Sequence, residues 1–80
     1  MYISEVKRSD LVSFILDKLV RDWQYLLIIK KDGSTQYCDC IRNGKKPCYC
    51  KTGEWCNLKD VDQVEVRSYG FNHGTLYQVV

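Results

Sequence analysis

Gln24-Tyr25-Leu26-Leu27-Ile28-Ile29-Lys30-Lys31-Asp32-Gly33-Ser34 contains a five-residue apolar run, Tyr25 to Ile29, closed by two lysines and an Asp-Gly pair. Residues of this type favour a strand, and Asp-Gly between two such runs is a hairpin signal. The reading is therefore a strand over about 24–31, a two-residue turn at Asp32-Gly33, and a return strand over about 34–41. A two-residue turn sets Leu27 opposite Cys38 and Tyr25 opposite Cys40, with Ile28 opposite Tyr37 and Leu26 opposite Asp39. Tyr25, Leu27, Ile29, Cys38 and Cys40 then share the face to be covered. Leu26, Ile28, Tyr37 and Ile41 share a second face that also carries Asp39 and is partly open.

The covering element lies upstream. Ser9 or Asp10 can cap a helix over about 10–22, in which Val12, Ile15, Leu16, Leu19 and Trp23 fall on one stripe. Asp10, Ser13, Asp17 and Arg21 take the opposite side. Phe14 projects onto that polar side, where an aromatic ring is an interface anchor, a contact for residues 1–6, or simply exposed.

Downstream, Asn43-Gly44 and Lys51-Thr-Gly-Glu54 are further turn signals. Val64, Val66 and Ser68 alternate with Glu65, Arg67 and Tyr69 in a strand with one wet face, and a last strand runs over 75–80. One helix followed by hairpins implies an α+β fold, with the helix packed on an antiparallel sheet of about four strands. Eighty residues, 45% hydrophobic and 28% charged, make a single globular domain over 1–80. The window from Leu11 to Ile29 is interrupted by charges and cannot cross a bilayer, and no secretory signal is visible at the start. A cytoplasmic setting is expected, in which the five cysteines are free or metal-bound rather than paired.

Chemistry concentrates between Cys38 and Lys51. Cys38, Cys40, Cys48 and Cys50 flank a turn carrying Arg42, Lys45 and Lys46, and Lys51, Tyr49 and Trp55 lie close by. If the hairpin closes around Arg42–Lys46, Cys40 faces Cys48 and Cys38 faces Cys50, and the four thiolates can meet a tetrahedral zinc. A two-residue Asn43-Gly44 turn would instead pair Cys40 with Pro47 and separate them. Zinc knuckles space their ligands more widely, so the adopted reading is of buried core thiols and no cofactor, with zinc as the alternative.

Residues 30–51 hold six basic groups against two acidic ones, whereas residues 52–65 hold one basic group against four acidic ones. Cations beside aromatic rings suit the acidic rim of a protein partner, and less well nucleic acid, for which neither an aromatic RNA-binding strand nor a basic recognition helix is present. Lysines at a hairpin tip also keep an edge soluble, which is their ordinary role. Catalysis has little to stand on: His73 is the sole histidine, and no phosphate loop, nucleophile elbow or paired-carboxylate motif occurs. A small-molecule substrate is not expected in so short a chain.

The expected function is non-catalytic protein binding, through Phe14, Arg42, Lys45, Lys46, Tyr49, Lys51 and Trp55. One concrete form is a phage- or mobile-element-encoded inhibitor of a host nuclease or defence complex, a class chosen from size and the lack of enzymatic motifs. The alternative is a small zinc-binding module that contacts nucleic acid through the basic hairpin turn.

Overall fold

In the computed structural model the described residues are 4–19, 24–42, 46–49, 51–70 and 74–80. They form an α+β fold: helix α1 (Leu11–Leu19), and strands β1 (Ser4–Val6), β2 (Gln24–Lys30), β3 (Thr35–Cys38), β4 (Cys40–Arg42), β5 (Lys46–Tyr49), β6 (Glu54–Trp55), β7 (Val61–Ser68) and β8 (Gly74–Val79). The main sheet has five strands in the order β1-β8-β7-β2-β3, and a second sheet of three has the order β4-β5-β6.

The four-stranded antiparallel expectation is corrected on two counts. β1 runs parallel to β8 and makes the main sheet mixed, pairing Ser4 with Tyr77 and Val6 with Val79. β4 leaves the main sheet altogether and starts the second one. β1 is three residues long, too short to show an alternation, and its place is held by backbone bonds that continue past it. Val80 N donates to Val6 O at 2.9 Å, and Arg8 N to Val80 O at 2.8 Å.

The hairpin turn is where expected, but its register is not. Leu26 lies opposite Cys38, Leu27 opposite Tyr37 and Ile28 opposite Gln36. Gly33 N donates to Lys30 O at 2.9 Å, Lys30 N donates to Ser34 O at 2.8 Å, and Gly33 has φ +88°. This is a three-residue loop with a left-handed glycine rather than a two-residue turn. Asp32 Oδ1 accepts from Ser34 N at 2.9 Å and holds the loop. A one-residue change of register exchanges the two faces of a strand. Leu26 and Ile28 are fully buried beside Cys38, while Tyr25, Leu27 and Ile29 turn outward.

The helix lies on that inner face, against β2 and β4. Leu11 and Ile15 are fully buried, whereas Leu16, expected in the core, is 46% exposed. The helix is therefore turned toward Leu11 and Phe14 relative to the expected stripe. Phe14 packs partly buried on the core, its ring 4.7 Å from that of Tyr77 in an edge-on contact. Lys18 Nζ sits 5.4 Å from the Phe14 ring centre, so the polar side begins one turn further round. Trp23 lies outside the described residues.

Val61, Val64, Val66, Val79 and Val6 complete the core. Burying a side chain such as Leu11 or Ile28 is worth roughly 1.5–3 kcal/mol. Gly74 sits opposite Arg67 at the start of β8, where a Cβ would land on the Val66 carbonyl. Arg8 closes the other end, donating from Nη1 to Leu58 O at 2.6 Å and from Nη2 to Val61 O at 2.9 Å.

Candidate protein-binding surface

The outer face of the main sheet, away from α1, carries what the shifted register places there. Tyr37 stands opposite Leu27, and Tyr25 opposite Arg67, so Tyr25 is diagonal both to Tyr37 and to Tyr69 just beyond β7. Diagonal neighbours lie within reach of aromatic side chains. The Tyr25 ring centre is 5.7 Å from that of Tyr37 and 4.9 Å from that of Tyr69. Asp39 N donates to Cys48 O at 3.0 Å, which fastens the second sheet to the end of β3. Tyr49 is thereby brought to Tyr37, at 5.8 Å between ring centres.

The four rings form a continuous row, Tyr69–Tyr25–Tyr37–Tyr49. Together with Cys38 and Asp39 they line a pocket of about 290 Å³. Tyr37 and Tyr69 are 45% and 57% exposed, so the row is open to solvent along its length. Burial in the cluster raises the Tyr69 hydroxyl above its ordinary pKa, with the charge of Asp39 and then Tyr49 and Tyr25 adding to it. Arg67, at the edge of the row, donates from Nε to Glu65. Further along the same face the side chains turn polar: Gln63 Nε2 donates to Gln78 Oε1 at 3.0 Å, and Gln78 Nε2 to Asp62 O at 2.9 Å.

The cysteines take a different part. Cys40 faces Cys48, the register of a hairpin closed around Arg42–Lys46. Cys38, Cys48 and Cys56 are buried, and burial pushes the Cys38 thiol up to about 12 and raises that of Cys56. The Cys38 thiol donates to Cys40 O at 3.3 Å and the Cys40 thiol to Cys48 O at 3.4 Å. Among the described residues no three Cys, His, Asp or Glu side chains converge on one point. Cys50, the fourth member of the candidate zinc set, lies outside them, as does His73.

Of the residues expected to bind a partner, Tyr49 belongs to the tyrosine row. Lys51 is exposed in the turn between β5 and β6, where Gly53 N donates to Tyr49 O at 2.8 Å. Trp55, on β6 opposite Cys48, is 51% exposed. Arg42 and Lys46 face each other in the β4–β5 ladder, and Lys45 lies outside the described residues. Phe14 is on the other side of the main sheet, with α1, and joins none of these. Tyr25, Tyr37, Tyr69 and Asp39 were absent from the expected set. Six tyrosines in eighty residues was a signal, but only the correct register shows which of them share a face.

No helix among the described residues is long and apolar enough to cross a membrane. Comparison with protein-family models, curated proteins and solved structures returns no match, so the reading of this surface rests on its geometry.

Proposed function

We propose that this chain is a non-catalytic protein-binding domain that acts by occupying a partner's surface, with the tyrosine row as the centre of contact. The observation that carries this is the row itself: four mutually packed tyrosines along an open sheet face. Tyrosine offers a large, stiff, amphipathic contact with few rotatable bonds, and tyrosine, tryptophan and arginine dominate interface hot spots. Rings already held by one another lose little freedom on binding. Lys51 and Trp55 on the neighbouring hairpin, with the basic residues of the β4–β5 turn, extend the contact toward acidic groups on the partner. An inhibitor carried by a phage or mobile element and directed at a host nuclease or defence complex is the concrete form this proposal takes.

The test is affinity capture with the intact chain and with a Tyr37→Ala/Tyr69→Ala variant whose fold is verified by circular dichroism. The retained protein is then purified and titrated against both. An affinity lowered by about a hundredfold or more, as for loss of two hot-spot side chains, supports the reading. An unchanged affinity removes the row from the interface. Glu65 and Asp39 on the same face disfavour phosphate, and tight, steeply salt-dependent binding to plain oligonucleotides would favour the nucleic-acid alternative instead.

A further inference from the structure

We infer that the pocket lined by Tyr25, Tyr37, Tyr49, Tyr69 and Asp39 is a receptor for an alkylammonium group, the head of a lysine side chain, plain or methylated. The inference rests on the protein-binding reading only for the bearer of that group, a partner protein. Aromatic faces are negative, and several of them around one carboxylate make a site for a cation with a greasy surface. This pocket has that composition, with four rings and one carboxylate among its six lining residues. Its volume of about 290 Å³ falls at the lower edge of the roughly 300–1,000 Å³ of small-molecule sites. A head group fits such a space, and a drug-sized ligand does not.

Shape decides between the cations. Successive rings are inclined to one another by 31°, 54° and 48°, so neighbouring rings do not present one flat platform on which a planar guanidinium stacks. Tyr49 and Tyr69, at opposite ends of the row, line the same pocket, and Tyr49 adds to the rise in the Tyr69 hydroxyl's pKa. The row is therefore an arc, which presents ring surface to a rounded group from several directions. Asp39 is the carboxylate at the pocket, and Arg67 lies at its edge, held by Glu65 and by the Tyr25 hydroxyl. The same chain already places an ammonium beside a pair of packed rings elsewhere: Lys18 Nζ lies 5.4 Å from the Phe14 ring centre and 5.9 Å from that of Tyr77.

The experiment is an NMR titration of the intact chain with choline, with its neutral isostere 3,3-dimethylbutan-1-ol, and with methylguanidinium. Choline is expected to bind in the millimolar range and to shift the ring resonances of Tyr25, Tyr37, Tyr49 and Tyr69. The isostere should bind about tenfold more weakly, as should choline to Tyr37→Ala or Asp39→Asn, each a loss of one cation contact. Tyr37→Phe should keep its affinity, because the ring face and not the hydroxyl makes the contact. Equal affinity for choline and the isostere would reduce the pocket to an apolar one and overturn the proposal. So would choline binding that neither Tyr37→Ala nor Asp39→Asn weakens, and tighter binding of methylguanidinium would overturn the choice of ammonium. No partner protein is present in the titration, so a failed pocket and a failed partner reading give separate results.

Discussion

Tyr25 and Tyr37 meet across β2 and β3 as diagonal neighbours, their ring centres 5.7 Å apart, and Tyr25 also touches Tyr69 on its other side at 4.9 Å. Tyr25 is thus the middle of the row and half-buried, whereas Tyr69 at its end is 57% exposed. The two should separate under substitution. Tyr25→Ala removes two ring contacts and part of the sheet's outer cover, and is expected to cost about 2 kcal/mol. Tyr69→Ala should stay within about 0.5 kcal/mol in urea unfolding, yet weaken partner binding. If Tyr69→Ala unfolds the chain as readily as Tyr25→Ala, the row is a structural element and not a surface.

Cys38 predicts a pH dependence. Its thiol is pushed up to about 12 in the folded chain by burial, against about 8.5 for a free cysteine. Below the lower value both states hold the proton and the full stability is present. Between the two values the unfolded chain loses the proton while the folded chain keeps it, so stability falls as pH rises, by up to about 1.4 kcal/mol per pH unit. Cys38→Ala should be less stable at neutral pH because it leaves a cavity, but its stability should decline less steeply between pH 9 and pH 10.5. Parallel declines for the two proteins in urea titrations at those pH values would show that Cys38 is not the titrating group.

Gln36 is the one buried polar side chain among the described residues. It lies opposite Ile28, is 9% exposed, and its Nε2 has no hydrogen-bond partner among the described residues. An unpaired buried amide costs about 1–3 kcal/mol in lost hydration. Gln36→Met keeps the length and removes that penalty, so the variant should be as stable as the parent or up to about 1 kcal/mol more stable. A raised midpoint in thermal unfolding is the expected readout, and a lowered one would mean that the amide is paired.

The helix, the first hairpin's turn and the β7 alternation were legible in the sequence, because each rests on a local signal, whereas the Cys40–Cys48 register was one of two left open by the turn residues between them. The faces were harder, for a physical reason visible in two segments. Tyr25-Leu26-Leu27-Ile28-Ile29 is apolar at every position, so hydrophobicity cannot say which alternate set is buried, and Asp32-Gly33 serves a two- or a three-residue loop equally well. Leu11, Val12, Phe14, Ile15, Leu16 and Leu19 likewise offer two overlapping helical stripes that share Ile15. Phe14 inward with Tyr77, and Leu16 outward, is settled by contact with a strand more than sixty residues away in sequence. The tyrosine row inherits both difficulties: Tyr25, Tyr37, Tyr49 and Tyr69 come from four separate segments and share a face only in the observed register.

The basic segment is expected to act on the rate of encounter and the aromatic residues on the lifetime of the complex. In the sequence Arg42, Lys45, Lys46 and Lys51 set four positive charges within ten residues, and that segment includes Tyr49 of the tyrosine row. Charges at a rim steer association and are screened by salt, while buried aromatic anchors govern dissociation. Lys45→Glu/Lys46→Glu should therefore slow association by about tenfold at low ionic strength and flatten its salt dependence, with dissociation little changed. Trp55→Ala, which removes a ring that is 51% exposed, should leave association unchanged and speed dissociation by about tenfold, as for loss of a single aromatic contact. Surface plasmon resonance against the captured partner, at low and high salt, reads both rates. An unchanged association rate for the double reversal would confine the interface to the tyrosine row, and an unchanged dissociation rate for Trp55→Ala would place the β5–β6 hairpin outside it.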